Sequence, residues 1–259
     1  MKINYNKIFN VKNKKAFVIG GSGIIGNEVC LALQESGCEV FNLDVKFNKE
    51  KIKRITNIYF DCSKLEHLEK KFSQLMKLNG VPDILVNCSY PRTPDWKNNS
   101  FKKINIKSYK KNIDIHLNSF VWTAKIAADN MKKTNVEGSI ILLSSIYGLV
   151  GQDISIYKDT KMTESMTYSV IKGGINNFTR QMASYYGKYN IRVNSICPGG
   201  IKEKNHNKKF VKKYLDKVPL KRFCRPSDVA ANVLFLSSNA SSYITGAMIL
   251  VDGGWTAIK

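Results

Sequence analysis

The sequence lacks any apolar run long enough to cross a membrane. Its longest apolar stretches, such as 139–143 and 247–251, are far shorter than the roughly 20 residues that a membrane-spanning helix needs. Residues 1–7 lack the apolar core of a signal peptide. The chain also lacks a linker-like stretch and an internal repeat. We therefore expect a cytoplasmic protein with no membrane partner and one domain over residues 1–259.

Cysteines at metal-binding or redox spacing are missing as well. The six cysteines are Cys30, Cys38, Cys62, Cys88, Cys197 and Cys224. None of them forms a Cys-x-x-Cys motif or a familiar zinc-ligand pattern. Cys30 and Cys62 also fall in segments that are typical of a helix and a strand end. We therefore predict reduced thiols and no metal site.

Arginine is scarce for so basic a chain. The formal net charge is +21, yet only six of the 41 basic residues are arginine. A nucleic-acid site would concentrate arginine and interleave aromatic residues, whereas only the segment 202–221 is locally dense in lysine. We therefore predict no nucleic-acid partner. The positive field instead favours an anionic small-molecule substrate, such as a sugar phosphate or a nucleotide sugar.

The first chemical motif is a glycine-rich turn between a strand and a helix. Residues 15–19 are typical of a short buried strand, and Gly20, Gly23 and Gly26 precede a helical run over 27–36. Glycines at this spacing allow a tight turn, close approach of the backbone to a pyrophosphate, and close packing of the helix on the strand. The positive end of the helix attracts phosphates. The pattern predicts a dinucleotide site.

An acidic residue after the second strand indicates which dinucleotide binds. Residues 39–43 are typical of a strand, and Asp44 follows them, eighteen residues after Gly26. A carboxylate at this place accepts hydrogen bonds from the adenosine ribose, which favours NAD. Lys46 is near enough in sequence to meet a 2′-phosphate, so NADP remains the less favoured alternative.

Tyr168 and Lys172 have the spacing of an acid/base pair. They lie four residues apart in a stretch that is typical of a helix, so their side chains share one face. An adjacent cation favours the phenolate, which brings a tyrosine with a pKa near ~10 closer to neutral pH. In a chain this rich in lysine, the same spacing also occurs by chance on a solvated helix face. The wider context has to decide.

Further markers supply that context. In chain order they are Asp61 after the third strand, 83–90 at the end of the fourth, Ser145, 197–200, 243–246 and 251–254. Together with the glycine turn, Tyr168 and Lys172, they make the chain resemble the short-chain dehydrogenase/reductase family over nearly its whole length. Residues 87–92, His116 with Leu117, 144–148 and the long segment before Tyr168 are similar to the flagellin-modification protein A group. That group is associated with the synthesis of nonulosonic acids of the legionaminic type.

The order of strands and helices predicts a doubly wound parallel sheet, an α/β fold of the Rossmann-like type. Strands are expected near 15–20, 39–44, 57–61, 83–88, 138–144, 190–196 and 246–251. Helices are expected near 25–36, 64–78, 101–133 with an interruption, 167–188, 204–217 and 227–237. In such sheets, ligands lie beyond the carboxyl ends of the strands. This edge and the resemblance imply a cofactor site made by Gly20, Ser22, Gly23, Ile25, Gly26, Asp44, Asp61, Cys62, Asn87, Lys172, Pro198, Gly199 and Ile201.

The resemblance also implies the catalytic roles. Tyr168 exchanges the proton, Lys172 lowers its pKa and binds the nicotinamide ribose, and Ser145 stabilises the developing charge. His116 stands where the family has a helix asparagine that supports a water-linked proton relay, and an imidazole also relays protons. Two alternatives stay open: His116 is only a packed polar residue, or Asn118 takes the place of the family asparagine.

The segment between Ser145 and Tyr168 is longer than is common in the family. Its extra part, 152–166, is either a lid over the substrate or a mobile surface loop. Tyr157 in this segment and Arg92 after the fourth strand are candidate substrate residues, because a guanidinium binds a phosphate or carboxylate bidentately. We expect hydride transfer between NAD and a carbinol or ketone of an anionic sugar derivative. The alternatives are reduction of a 3-oxoacyl thioester and a non-catalytic dinucleotide-binding role.

Two helices carry more apolar positions than one face of a sheet is expected to cover. They are Ile126, Ala127 and Met131 on one helix, and Ile171, Ile175, Phe178 and Met182 on the other. Packing on the sheet accounts for part of this set. Together with the resemblance, the remainder predicts a homodimer or homotetramer formed through a helix pair.

Overall fold

The structure is a computed structural model that describes residues 4–47, 54–202 and 207–258. A seven-stranded sheet forms its centre, with every neighbouring pair of strands parallel. The strands are β1 (Lys15–Ile19), β2 (Glu39–Asp44), β3 (Ile55–Tyr59), β4 (Ile84–Asn87), β5 (Ser139–Leu143), β6 (Arg192–Pro198) and β7 (Met248–Val251). Their order across the sheet is β3-β2-β1-β4-β5-β6-β7. This confirms the predicted doubly wound Rossmann-like fold.

Helices cover both faces of the sheet. They are α1 (Tyr5–Ile8), α2 (Ile24–Glu35), α3 (Leu65–Asn79), α4 (Ile106–Asn112), α5 (Asn118–Lys133), α6 (Met166–Tyr186), α7 (Lys208–Asp216) and α8 (Pro226–Ser237). Phe17 and Ile19 of β1 pack with α3, α5 and α6, whereas Ala16 and Val18 pack with α2 and α8. Successive strand residues point to opposite faces, so both sides of each central strand are apolar. Within the described ranges, no helix is both long and apolar enough to cross a membrane.

The ends of two predicted strands differ from those observed. The third strand, expected over 57–61, ends at Tyr59, so that Asp61 lies in the turn that leads to α3. The sixth strand, expected over 190–196, continues to Pro198 because its pairing with β7 extends to Val251. Proline is tolerated at this end of the strand, where the ladder stops.

Two predicted helices also differ from those observed. The interrupted helix over 101–133 consists of α4 and α5, joined by a π-helical turn at Ile113–Leu117. The helix expected over 204–217 is described from Lys208, where the side chain of Asn207 accepts hydrogen bonds from the first turn. Positions 204–206 lie outside the described residues.

The apolar positions expected at a helix-pair interface are already covered within one chain. Ile126, Ala127, Met131, Ile171, Ile175 and Met182 are buried, and Phe178 is partly buried against the same cluster. They pack on the sheet and between α5 and α6. The interpretation that these side chains form surplus apolar surface is therefore wrong.

The strand order places a ligand crevice. The chain moves outward from β1 to β2 and β3, then returns to pair β4 with the other side of β1. Connections on the two sides diverge beyond the carboxyl ends of β1 and β4, which is where such sheets bind ligands. A third apolar cluster lies outside the sheet, near the carboxyl end of β6. It contains Ile146, Ile156, Phe210, Tyr214, Val218, Phe223 and Trp255.

Candidate active site

The glycine turn after β1 exposes backbone at the start of α2. Gly20 has a φ of 76°, and an added Cβ there would lie 2.6 Å from the Cα of Ser89. An added Cβ at Gly26 would collide with the carbonyl oxygen of Gly20. Gly23 is the N-cap residue of α2, and no side chain caps the N–H groups of the first turn. These groups attract an anion, so the turn fits a pyrophosphate.

Asp44 is fixed at the end of β2 by the same turn. Its Oδ2 accepts a hydrogen bond from the backbone N–H of Ser22 at 3.0 Å, and its Oδ1 accepts one from Val45 at 2.7 Å. The Asn42 amide donates to Ser22 Oγ at 3.1 Å. The carboxylate is therefore oriented by backbone donors and keeps further lone pairs for ribose hydroxyls. Ser22, a predicted cofactor residue, acts here by holding Asp44.

A cleft of about 460 Å³ connects the glycine turn with the ends of β2, β3 and β4. Five of the predicted cofactor residues line it: Gly20, Gly23, Asp44, Asp61 and Cys62. Ile25 and Gly26 lie beside it in the first turn of α2. Ser89, which lies in the strand end 87–92 expected at this crevice, also lines the cleft, and so does Ile115, which sequence reasoning missed. Ile115 carries no sequence signal of its own, because the π-helical turn brings it there.

The other predicted cofactor positions do not line this cleft. The side chain of Asn87 is fully buried, donates to Thr123 Oγ1 at 3.1 Å and accepts from the Ser89 hydroxyl at 2.7 Å. It therefore holds the end of β4 in place, and the cofactor contact expected at Asn87 stays a prediction. The remaining predicted positions at this edge of the sheet are Pro198, Gly199 and Ile201, and Ile201 forms a β-bridge with Cys224.

Ser145, Tyr168 and Lys172 meet between the end of β5 and the first turns of α6. Ser165 caps α6 by accepting a hydrogen bond from the Tyr168 N–H at 3.3 Å. Lys172 Nζ donates to the carbonyl oxygen of Leu143 at 2.8 Å and lies 5.6 Å from the centroid of the Tyr168 ring. The Ser145 hydroxyl is near enough to the Tyr168 phenol to lower its pKa. The fold thus places the hydroxyl, the phenol and the amine of the predicted set together.

Burial dominates the electrostatics of this set. It lowers the pKa of Lys172 to about 7, against smaller opposing effects of Cys197 and Cys88. Part of the Tyr168 side chain is accessible, yet desolvation by its surroundings raises its pKa above the ordinary value, and the nearby Ser145 hydroxyl opposes this only in part. Desolvation thus outweighs the stabilisation that neighbours give the phenolate, and the expectation that Lys172 lowers the Tyr168 pKa stays a prediction.

His116 lies next to Lys172 in an apolar setting. Its ring centroid is 5.7 Å from that of Phe120, and Lys172 Nζ is 5.0 Å from the same Phe120 centroid. The side chain is fully buried, and neither ring nitrogen has a hydrogen-bond partner. Burial, and then the charges of Lys172 and Arg92, lower the pKa of His116 well below its usual value. The imidazole is therefore neutral at physiological pH.

Asn118 is the weaker relay candidate. Its amide donates to Asp114 Oδ1 at 3.4 Å, and its side chain is half-buried at the start of α5. His116, by contrast, has two unsatisfied nitrogens, and the charge of Lys172 helps to lower its pKa. A buried polar atom without a partner is costly unless water or a functional partner meets it. The geometry therefore favours His116 over Asn118.

Two aromatic side chains that sequence reasoning missed surround the catalytic tyrosine. The ring centroid of Tyr90 is 6.0 Å from that of Tyr168 and 5.0 Å from that of His116. The centroid of Trp96 is 6.5 Å from that of Tyr168. A signal for Tyr90 was present, because it stands where the strand end of the resembled family has the glycine of Asn-Asn-Ala-Gly. Trp96 had no such signal, since its position depends on the fold of the segment after β4.

The segment 152–166 is packed against α6 and α7. Ile156 is fully buried, and the Tyr157 ring stacks on Phe210 of α7 with centroids 6.0 Å apart. Two ion pairs add to this contact: Lys213 with Asp159 at 3.1 Å, and Lys217 with Asp153. The amide of Gln152 donates to Ser165 O and Ser169 Oγ at the start of α6. The segment therefore joins α6 to α7 beside the catalytic residues.

Comparison with known proteins agrees with this geometry. A sequence profile described as enoyl-(acyl carrier protein) reductase matches residues 21–256. The chain is 30% identical to the post-translational flagellin modification protein A of Campylobacter coli over 95% of this chain and 99% of that protein. It is 27% identical to glucose 1-dehydrogenase 2 of Bacillus subtilis over 95% of this chain and 96% of that protein.

A solved structure supports the same conclusion. The short-chain dehydrogenase of Leptospira borgpetersenii, determined with bound NAD+, matches with a TM-score of 0.87 and 30% identity over 99% of this chain and 97% of that one. The glycine turn, the parallel sheet and the Ser145, Tyr168 and Lys172 set are thus found in a chain whose relatives include dehydrogenases. The chain belongs to the short-chain dehydrogenase/reductase family and is an oxidoreductase.

Proposed function

We propose that this enzyme transfers a hydride between NAD and a carbinol or ketone of an anionic sugar derivative, such as a sugar phosphate or a nucleotide sugar. The reaction would serve the synthesis of nonulosonic acids for surface or flagellin glycans. The observation that carries the proposal is the meeting of Ser145, Tyr168 and Lys172 next to a dinucleotide cleft. The similarity to the Campylobacter flagellin modification protein over nearly the whole of both chains supports the sugar pathway.

NAD is the proposed cofactor because of Asp44. Its carboxylate is held by the N–H groups of Ser22 and Val45 and faces the cleft. A carboxylate at this place accepts hydrogen bonds from ribose hydroxyls and repels a 2′-phosphate. Lys46 is the residue that keeps NADP as an alternative. It lies shortly after Asp44, and its side chain is exposed. NADP is therefore the less favoured cofactor.

The residues of the chain then have separate roles. The nicotinamide of the bound cofactor supplies or accepts the hydride. The Tyr168 oxygen exchanges a proton with the substrate oxygen, and the Ser145 hydroxyl holds that oxygen in place. Lys172 stabilises the phenolate when the amine is protonated and meets the nicotinamide ribose. His116, neutral and without a hydrogen-bond partner, connects Lys172 to the proton relay.

Charge and shape support an anionic sugar as substrate. The formal net charge of +21 attracts anions to the protein in general. The rings of Tyr90 and Trp96 beside Tyr168 provide apolar faces of the kind on which a sugar ring packs. Tyr157, in the packed segment 152–166, remains a proposed substrate residue, because its hydroxyl donates to Gln152 Oε1 at 3.2 Å and the Gln152 amide in turn contacts Ser169, next to Tyr168.

A substrate panel tests the proposal. The purified enzyme, saturated with NAD or NADH, is given nucleotide sugars, sugar phosphates, the matching neutral sugars and a 3-oxoacyl thioester, and NADH absorbance is followed. We expect turnover with a phosphorylated or nucleotide-linked sugar and much less with its neutral counterpart. Preference for the thioester would establish the fatty-acid type of reaction instead. NADH binding without turnover of any compound would favour a non-catalytic role.

Assembly and location complete the proposal. The enzyme forms a homodimer or homotetramer, and the exposed Trp122, Val170 and Tyr185 on α5 and α6 provide apolar surface for a helix-pair contact.

A larger cavity of about 690 Å³, lined in part by Leu220 and Leu250, lies beside the start of α8, away from the catalytic residues. The proposed location is the cytoplasm. Light scattering that finds only a 29.3 kDa monomer at micromolar concentration would contradict the assembly.

A further inference from the structure

Arg92, the predicted substrate residue, is found in the wall of the dinucleotide cleft. It follows Tyr90 and Pro91 beyond the end of β4, and its side chain lines the cleft formed by the glycine turn and Asp44. Among the described residues that line this cleft, Arg92 is the only basic one, whereas Asp44 and Asp61 are acidic. Its guanidinium is therefore the one cationic side chain there that can face an anion.

The side chain is held in position by its neighbours. The guanidinium carbon is 5.2 Å from the centroid of the Tyr90 ring, a cation–π distance. The Tyr90 ring is itself packed edge-on against Trp96 and His116, at centroid distances of 5.7 and 5.0 Å. Pro91 restricts the backbone between the two residues. The Arg92 side chain is thus exposed, while its contact with the Tyr90 ring restricts its position. A binding group that is held in place in this way loses less conformational freedom when it binds a ligand.

Arg92 also lacks a carboxylate partner among the residues that the structure describes. The ion pairs of residues 4–47, 54–202 and 207–258 do not include Arg92. Its charge is instead felt by Tyr90 and His116, two uncharged groups. A guanidinium with a fixed position and no internal counter-ion is suited to an external oxyanion, which it binds bidentately.

We propose that Arg92 binds the bridging diphosphate of the dinucleotide cofactor. The uncapped N-terminus of α2 and the Arg92 guanidinium would then supply the positive charge that this group needs in a cleft with two carboxylates. A 2′-phosphate is the other phosphoryl group of the same chemistry, but Asp44 disfavours it. The inference rests on the NAD assignment made above. Arg92 is accordingly a cofactor-binding residue and not a substrate-binding one.

The test needs no substrate. Wild type, Arg92→Ala, Arg92→Lys and Arg180→Ala are titrated with NADH, NADPH, ADP-ribose and adenosine, and the thermal transition of each variant is recorded. Arg180 is the matched control, because it is an exposed arginine on α6 that lines neither cavity and changes the general field equally. Arg92→Lys keeps the charge but loses the planar fork.

We expect Arg92→Ala to bind NADH and ADP-ribose about tenfold more weakly, as loss of a charge-assisted hydrogen bond implies. Arg92→Lys should be intermediate, and Arg180→Ala should match wild type. Unchanged adenosine binding shows that the cleft is intact in each variant.

Equal NADH affinity of Arg92→Ala and wild type overturns the inference and leaves the NAD assignment standing. A loss confined to NADPH overturns the diphosphate contact in favour of the 2′-phosphate, and wild type that binds no NADH overturns the NAD assignment as well.

Discussion

The glycine turn and the start of α2 present mainly backbone groups to the cofactor cleft, beside the side chains of Asp44 and Arg92. On the other side of Tyr168, the site is formed by side chains from separate segments: Tyr90 and Trp96 after β4, His116 in the π-helical turn, and the segment 152–166 against α7. The glycine turn and the start of α2 are contiguous in sequence. The substrate side of Tyr168 depends on packing between segments that are far apart in sequence. A dinucleotide is common to many reactions, so the local turn can stay the same while the packed side selects the substrate.

The segment after β4 shows how the packed side is held together. Asn99 accepts a hydrogen bond from the Met166 N–H at 2.9 Å, and its Oδ1 accepts one from the Thr167 hydroxyl at 2.6 Å. These bonds tie the Trp96 turn to the start of α6, two residues before Tyr168. A substrate wall fixed in this way to the catalytic helix keeps its position relative to the reacting oxygen.

The largest effect should come from Tyr168→Phe. The substitution removes the proton-transferring oxygen and little volume, so we expect turnover to fall by about 10²–10⁴-fold, with NADH affinity nearly unchanged. Steady-state rates and NADH titration measure the two effects separately. Tyr185→Phe, at an exposed tyrosine on the same helix, is the control. Near-normal turnover of the Tyr168→Phe variant would remove Tyr168 from acid/base catalysis.

Lys172→Met should lose turnover while losing little stability near neutral pH. In the unfolded chain the lysine pKa is near ~10.4, whereas burial lowers it to about 7 in the fold. Between these values the unfolded state binds more protons, so the stability of the wild type rises with pH from about 7 to about 10. The penalty for burying the charged amine is fully present below that window.

Urea-induced unfolding at about pH 7 and again at about pH 10 tests whether stability rises between these two pH values. We expect the free energy of unfolding of the wild type to rise from the lower to the higher pH by up to a few kcal/mol. Lys172→Met should lack most of this rise, and Lys161→Met, at an exposed position, should keep it. The same pH slope in the wild type and Lys172→Met would show that the amine is charged in the fold at both pH values.

The sequence predicts the cofactor cleft better than the packed substrate side, and the reason is physical. The turn at Gly20 and Gly26 was predictable, because only glycine meets the positive φ and the close approach there. The burial of the Asn87 side chain against Thr123 was not predictable, since it depends on how α5 packs on β4. The same holds for the pKa of Tyr168: a sequence shows that Lys172 is adjacent but does not show how much water is removed from both groups.

Asp44→Ala should weaken the cofactor side alone. The variant loses the acceptor for ribose hydroxyls, so we expect NADH to bind about tenfold more weakly or worse, with a smaller change for NADPH. Titration calorimetry with both dinucleotides measures the ratio, and Glu69→Ala, on the exposed face of α3, is the control. Equal losses for NADH and NADPH would indicate that Asp44 supports only the turn through Ser22, with no ribose contact.

The smallest expected effect, and the sharpest test of the packed side, comes from His116. His116→Phe keeps an aromatic ring among Tyr90, Trp96 and Phe120 but removes both unsatisfied nitrogens. Because buried polar atoms without partners are costly, we expect this variant to be at least as stable as the wild type. If His116 connects Lys172 to a proton relay, turnover should fall nevertheless, by no more than about tenfold, since the relay assists the direct transfer.

His116→Asn provides the matched comparison. Asparagine restores a polar side chain of the kind that the family has at this place, so it should recover turnover relative to His116→Phe while packing less well. The pH profile and the solvent isotope effect on turnover distinguish a relay from simple packing. A relay predicts that both change in His116→Phe and return toward wild type in His116→Asn. If turnover instead follows thermal stability across the three proteins, His116 is a packed core residue and the substrate side acts through shape alone.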